Sequence, residues 1–161
     1  MASFFGMDNP KLIVMKHDRS AQVSVHIHAP IEAVWEALTK PEIIKKYFFG
    51  TNTITDWVPG HLIVFEGEWE GKPYHDKGTI LEFRKNEIIK YDYWSSMSGI
   101  EDKPENYVII TYELFEDDDI TTMVVTQENI PDDERKEHSI ENWKMVLQEL
   151  KKMLEKETYV A

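Results

Sequence analysis

Val23-Ser24-Val25-His26-Ile27-His28-Ala29-Pro30-Ile31-Glu32-Ala33-Val34-Trp35-Glu36-Ala37-Leu38 changes its hydrophobic period part-way along, and that change decides the fold. Val23, Val25 and Ile27 alternate with Gln22, Ser24, His26 and His28, the period of a half-buried strand that begins at Ser20. Pro30 suits the first turn of a helix, where an N–H has no helical acceptor. Ile31, Val34, Trp35 and Leu38 then follow at i, i+3, i+4 and i+7, so one helical face is apolar. Pro41 closes this helix and opens a shorter one through Pro41–Tyr47, with Gly50 as its stop.

Beyond Gly50 the chain turns to strands punctuated by turn signals. Asn52–Trp57 reads as a strand and Pro59-Gly60 as a turn. His61–Trp69 places Ile63, Phe65 and Trp69 on one face and Glu66 and Glu68 on the other. Glu70-Gly71 signals a hairpin into a strand through Lys72–Phe83. Ile88–Ser95 aligns Ile89, Tyr91 and Tyr93, and strands at Tyr107–Phe115 and Ile120–Glu128, the latter carrying Met123, flank the turn Asp117–Asp119. After Pro131 the period is helical again: Trp143, Val146, Leu147, Leu150, Met153 and Leu154 form one stripe. A helix of about 20–25 residues would be ~30–38 Å long, enough to cross a sheet. Helices at the two ends of a run of strands predict an antiparallel α+β domain, since parallel crossovers would interleave them. Residues 1–19 form a lead-in without a clear period, in which Leu12-Ile13-Val14 is left unassigned. One domain is expected over 20–157, with a tail at 158–161.

The chain has 161 residues, no cysteine and a net charge of −12. Its length suits one compact core. Without cysteine there is no disulfide, thiol catalysis or thiolate metal site, which fits a reducing compartment. Nucleic acid and anionic membrane both require compensating Lys and Arg, so the charge speaks against either. No apolar run reaches the ~20 residues of a membrane span. These features predict a soluble cytoplasmic domain.

The stretch Ile27–Thr39, then Tyr47-Phe48-Phe49-Gly50, Trp57-Val58-Pro59-Gly60, Asp76–Glu82, Tyr91-Asp92-Tyr93, Thr121–Glu128 and the helix from Trp143 to Leu150 follow one another in a recognisable order. Together they resemble the family named after the activator of the heat-shock-protein-90 ATPase homologue, within the START-like, birch-pollen-allergen-like (SRPBCC) superfamily. The resemblance covers roughly residues 20–157. It implies a helix-grip fold, in which a curved antiparallel sheet of six to seven strands holds the C-terminal helix over a cavity. Members bind lipids, polyketides or phenolics, some catalyse cyclisation or dehydration, and eukaryotic members stimulate a chaperone. Two departures bear on partners: the eukaryotic co-chaperones carry an additional N-terminal domain that is not expected here, and the glycine-rich loop of the plant allergens is missing.

The aromatic residues are the leading candidates for a site. Trp35, Phe65, Trp69, Tyr91, Tyr93, Met123, Trp143 and Leu147 are expected to line a cavity for a small apolar or aromatic ligand, with the phenolic hydroxyls orienting it. His26 and His28 are expected to face solvent; two imidazoles fall short of the three protein ligands of a catalytic zinc, so no metal and no cofactor is implied. His61, His75, Asp56, Asp76 and Glu82 are the acid–base candidates, but nothing in their spacing pairs them for catalysis. Asp76 and Glu82 share the parity of Gly78 and Ile80, unless a bulge reverses it. Asp117–Asp119 and Asp132–Glu134 lack the glycine and alternation of a calcium loop and are expected as a solvated turn and a negatively charged helix start. Three functions remain open: ligand binding, a surface that engages a chaperone or other protein, and a cyclase-like enzyme. A large cavity would favour the first or third, and a filled core the second.

Overall fold

The computed structural model describes residues 15–160, with side chains to Lys156. Leu12-Ile13-Val14 lies outside the described residues. In chain order the elements are β1 (Arg19–Ile27), α1 (Ile31–Thr39), α2 (Pro41–Tyr47), β2 (Asn52–Thr55), β3 (Leu62–Trp69), β4 (Lys72–Arg84), β5 (Ile88–Tyr93), a short 3-10 turn (Pro104–Asn106), β6 (Val108–Asp117), β7 (Ile120–Ile130) and α3 (Asp133–Val160). The seven strands form one curved antiparallel sheet in the order β1-β7-β6-β5-β4-β3-β2. The first strand therefore pairs with the last, Val25 opposite Met123 and Ile27 opposite Thr121. The chain then travels to the opposite edge through α1 and α2, which is why two short helices stand between β1 and β2.

α3 is the gripped helix. It covers 28 residues, starting ten positions before Trp143 and running three past 157, into the expected tail. At its start Asp132 accepts the Arg135 N–H at 2.8 Å, and this bond, with the Arg135 guanidinium, holds the Asp132 carboxyl below its ordinary range. Leu150, Leu147, Val146, Trp143 and Leu154 are buried against the sheet. Near the other end, Lys151 Nζ donates to the His26 carbonyl at 2.6 Å, and Glu155 accepts the His28 N–H at 2.9 Å. These contacts fix the helix lengthwise along β1. The result is an α+β helix-grip fold.

The β4–β5 junction sets which groups face the helix. A Cβ at Gly78 would lie 1.7 Å from the Asp92 carbonyl oxygen, so only glycine permits this approach. The register slips between Ile80 and Glu82. That bulge turns Phe83 inward, against Trp35 at 5.2 Å, and Glu82 outward, where it pairs with Arg84. Asp76, on the other side of the bulge, keeps its inward parity and is buried.

Candidate functional site

The concave face carries an aromatic chain that passes from the rim to the core. Trp69 meets Phe49 at 5.9 Å, Phe49 meets Phe48 at 5.8 Å, and Phe48 meets Trp143 at 5.9 Å. Trp143 continues to Tyr112 at 5.8 Å, Tyr112 to Tyr91 at 5.6 Å, and Tyr91 to Phe65 at 5.7 Å. Phe65 ends on Tyr93 at 5.6 Å. Most steps are edge to face, the arrangement ring quadrupoles favour. A second group, Trp57 stacked on Phe83 at 5.5 Å, lies beside α1 and Trp35.

Of the eight residues expected to line a cavity, Trp35, Phe65, Tyr91, Met123, Trp143 and Leu147 are buried, and Tyr93 is half-buried. Trp69 departs from that expectation: it is 53% exposed. It has the inward parity of Phe65, but it is the last residue of β3, beyond the helix, and the Phe49 ring is its aromatic neighbour. The void between sheet and helices measures about 20 Å³, and Phe65 and Tyr91 are the members of the expected set that reach it. Drug-sized ligands occupy ~300 Å³ or more. Among the described residues, Phe65, Tyr91 and Tyr112 pack ring against ring beside this small void. A separate open groove of about 490 Å³ runs between β1 and α3, over Val23, Val25, Met145 and Leu147.

The polar groups of the core are held by specific partners. The Tyr91 and Tyr112 hydroxyls bond to each other at 2.6 Å, and Tyr47 donates to the Ala37 carbonyl at 2.7 Å. Burial pushes all three phenols well up from their ordinary pKa. Tyr93 donates to Asp76 Oδ2 at 2.5 Å, while the Ser96 N–H and hydroxyl reach Oδ1 at 2.9 and 3.1 Å. Burial, then the Asp76 charge, pushes the Tyr93 phenol up. Asp76 thus acts as a knot between β4, β5 and the loop after it.

The remaining candidates stand apart from the aromatic chain. His26 Nδ1 lies 2.8 Å from Thr122 Oγ1, and His28 Nδ1 lies 3.0 Å from Glu155, so the two imidazoles serve different neighbours. His61 pairs with Asp56 at 2.7 Å and His75 with Glu66 at 2.8 Å; Glu66 is half-buried and the other three are exposed. The His61 hydrogen bond lowers the Asp56 pKa. Asp117–Asp119 lies at the β6–β7 turn, with Asp118 in left-handed backbone at φ 56°.

Sequence reasoning missed Tyr112, Phe48, Phe49 and Thr53. Tyr112 alternates with Ile110 and Leu114 on β6, so period two pointed to it. Phe48 and Phe49 follow the last turn of α2, and no periodicity reports which way such residues face. Phe49 has φ 56°, a left-handed conformation that bulky side chains rarely take. The Gly50 N–H to Lys45 and the Thr51 N–H to Phe48 carbonyl, at 3.2 and 3.0 Å, hold that turn. Its ring is 40% exposed.

The sequence pattern described as Activator of Hsp90 ATPase homolog 1-like protein matches residues 28–155. Among solved structures, the solution structure of ChR145 from Cytophaga hutchinsonii is 45% identical, covers 90% of this chain and 99% of its own, and superposes with a TM-score of 0.77. The Aha1 dimer from Colwellia psychrerythraea is 18% identical, over 84% of this chain and 96% of its own, at a TM-score of 0.67. An HSP90 activator from Plasmodium falciparum is 18% identical, over 70% and 74%, at 0.54. Those last two show the shared fold. No curated protein matches the chain. With the matched stretch spanning everything from the end of β1 to the last turns of α3, the chain belongs to the Activator of Hsp90 ATPase homolog 1-like family.

Proposed function

We propose that this domain is a protein-interaction module that engages an Hsp90-type chaperone ATPase through the aromatic rim at Phe49 and Trp69. The observation that carries this reading is the contrast between the two ends of the aromatic chain. Inside, the rings interlock around a void of about 20 Å³; outside, Phe49 and Trp69 are 40% and 53% exposed against each other. A folded chain gains little from displaying two large rings in water, whereas exposed aromatic anchors are the common hot spots of interfaces. The left-handed backbone at Phe49 adds to the argument, because strain of that kind collects at working surfaces. The family description and the Plasmodium neighbour supply the class of partner. A net charge of −12 favours a partner with a basic rim around its apolar contact.

Calorimetric titration with a purified Hsp90-type ATPase tests this. Binding is expected, weakened by tenfold or more in the double variant Phe49→Ala, Trp69→Ala, with secondary structure retained. Absence of binding at ~100 μM, a Kd worth only ~5.5 kcal/mol, overturns the reading, as does a double variant that binds like the parent.

A further inference from the structure

The sheet has two edges, and they differ. β2 has four residues, and short edge strands resist further pairing. β1 has nine and, among the described residues, pairs on one side alone, with β7. Every second residue of an edge strand turns its N–H and C=O away from the sheet, towards any strand that arrives. Such edges are commonly blunted by charged side chains, proline or a bulge. From Ala21 to Ile27 the β1 register is unbroken. The exposed residues of that stretch are Gln22, Ser24 and His26, with no Lys, Arg, Asp, Glu or Pro among them. Beside it lies the open groove of about 490 Å³ between β1 and α3, where Val23, Val25 and Leu147 are flanked by Met145, itself 54% exposed.

Charge and symmetry select the occupant. A chain of net charge −12 repels its own copies over most of its surface. In the groove the charged residues are Glu141 and Lys144, which pair with each other at 3.4 Å, so this face is locally neutral. Its strand residues, Val23, Ser24 and Val25, are centred on Ser24. A two-fold axis at Ser24 sets Val23 opposite Val25 and Gln22 opposite His26 of a second β1. Apolar then meets apolar, polar meets polar, and no like charges face each other. α3 runs beside β1 in the same direction, since Arg19 meets Asp133 at 2.6 Å at one end and Lys151 reaches the His26 carbonyl at 2.6 Å at the other. Ser24 and Met145 line the groove between those anchors, so the axis passes close to Met145, which would meet its own counterpart. We propose that this face binds a second copy of the chain, β1 antiparallel to β1, joining the two seven-stranded sheets into one. The contact uses the same patch on both copies, so it closes at a dimer.

Sedimentation velocity on the intact chain, from micromolar concentrations to ~1 mM, tests this. A concentration-dependent monomer–dimer equilibrium is expected, strengthened by added salt, which screens the repulsion between two acidic copies. Met145→Glu sets two like charges at the axis and should weaken the dimer by about tenfold or more. Met145 is exposed, so that variant should fold as the parent does. Leu62→Glu, at a residue 64% exposed on β3, should leave the association unchanged. In a mixture of isotope-labelled and unlabelled chains, cross-relaxation from the Val23 and Val25 methyls to the second molecule should identify the strand. A chain that stays monomeric at ~1 mM overturns the proposal. So does a dimer that Met145→Glu leaves intact, or that Leu62→Glu weakens equally. Contacts to the Val23 and Val25 methyls that arise only from elsewhere in the same molecule overturn it as well.

Discussion

Tyr91 and Tyr112 are diagonal neighbours on β5 and β6, their hydroxyls 2.6 Å apart and their rings edge to face at 5.6 Å. Neither phenolate could be solvated there, so burial raises both pKa values well above the ordinary 10.0, and Tyr47 is raised for the same reason. In the unfolded chain these phenols ionise normally. Their contribution to stability is therefore intact below pH 10 and is lost as pH rises beyond it, because only the unfolded state releases the protons. A melting temperature that falls steeply above pH 10 is expected, with phenolate absorbance at 295 nm from these three rings rising together with unfolding. Early, independent ionisation would mean that the sheet centre admits water.

The helix stripe offers a separate test of the grip. Leu150 is fully buried at the centre of α3. Leu150→Ala should cost about 2–5 kcal/mol in urea unfolding, the range for a core leucine that leaves a cavity. A cost below ~0.5 kcal/mol would place the residue on the surface.

Period alone located much of this architecture. The alternation at Val23–Ile27 and the stripe from Trp143 to Leu154 each depend on burial of one face, and the sheet and helix bury those faces against each other. Trp69 shows where such reading stops. Parity tells which side of the sheet a residue occupies, but not whether anything lies above it. The same holds for cavity size: Phe65, Tyr91 and Trp143 were placed on converging faces, yet whether they line a space or fill it depends on Phe48 and Tyr112. Glu82 illustrates a third limit, since a bulge of one residue reversed its side while Asp76 kept the parity its sequence implied.

Gly78 should be the least replaceable glycine of the sheet. The atom that a new Cβ would meet at 1.7 Å is the Asp92 backbone oxygen, which cannot swing away as a flexible side chain does. Next to it, the Thr79 N–H donates to Asp92 Oδ1 at 2.7 Å, so separating the strands would also strain that bond. Gly78→Ala is expected to lose about 3 kcal/mol, at the upper end for forced overpacking. Chemical denaturation measures this directly, and a loss under ~1 kcal/mol would show that β4 and β5 part easily.

The acid side of the stability profile should depend on Glu155. Its carboxylate takes a 2.7 Å bond from Lys151 Nζ, the His28 N–H at 2.9 Å and a 3.0 Å contact with His28 Nδ1. The Lys151 bond, then the His28 N–H, lowers its pKa from 4.5 to about 2. Because the folded value is depressed, the unfolded chain binds the extra proton first as pH falls. The contribution is therefore complete above pH 4.5 and is lost between there and about pH 2. Solvent screening at this partly exposed pair keeps the effect to about 1 kcal/mol. Glu155→Gln should lower the melting temperature at pH 7 and flatten its fall between pH 4.5 and 2, while leaving the alkaline limb unchanged. Glu149→Gln serves as the control, since among the described residues that carboxylate meets only Lys152, at 3.4 Å on the exposed face of the same helix. Equal effects from the two substitutions would show that the lock between α3 and the end of β1 contributes nothing beyond ordinary surface charge.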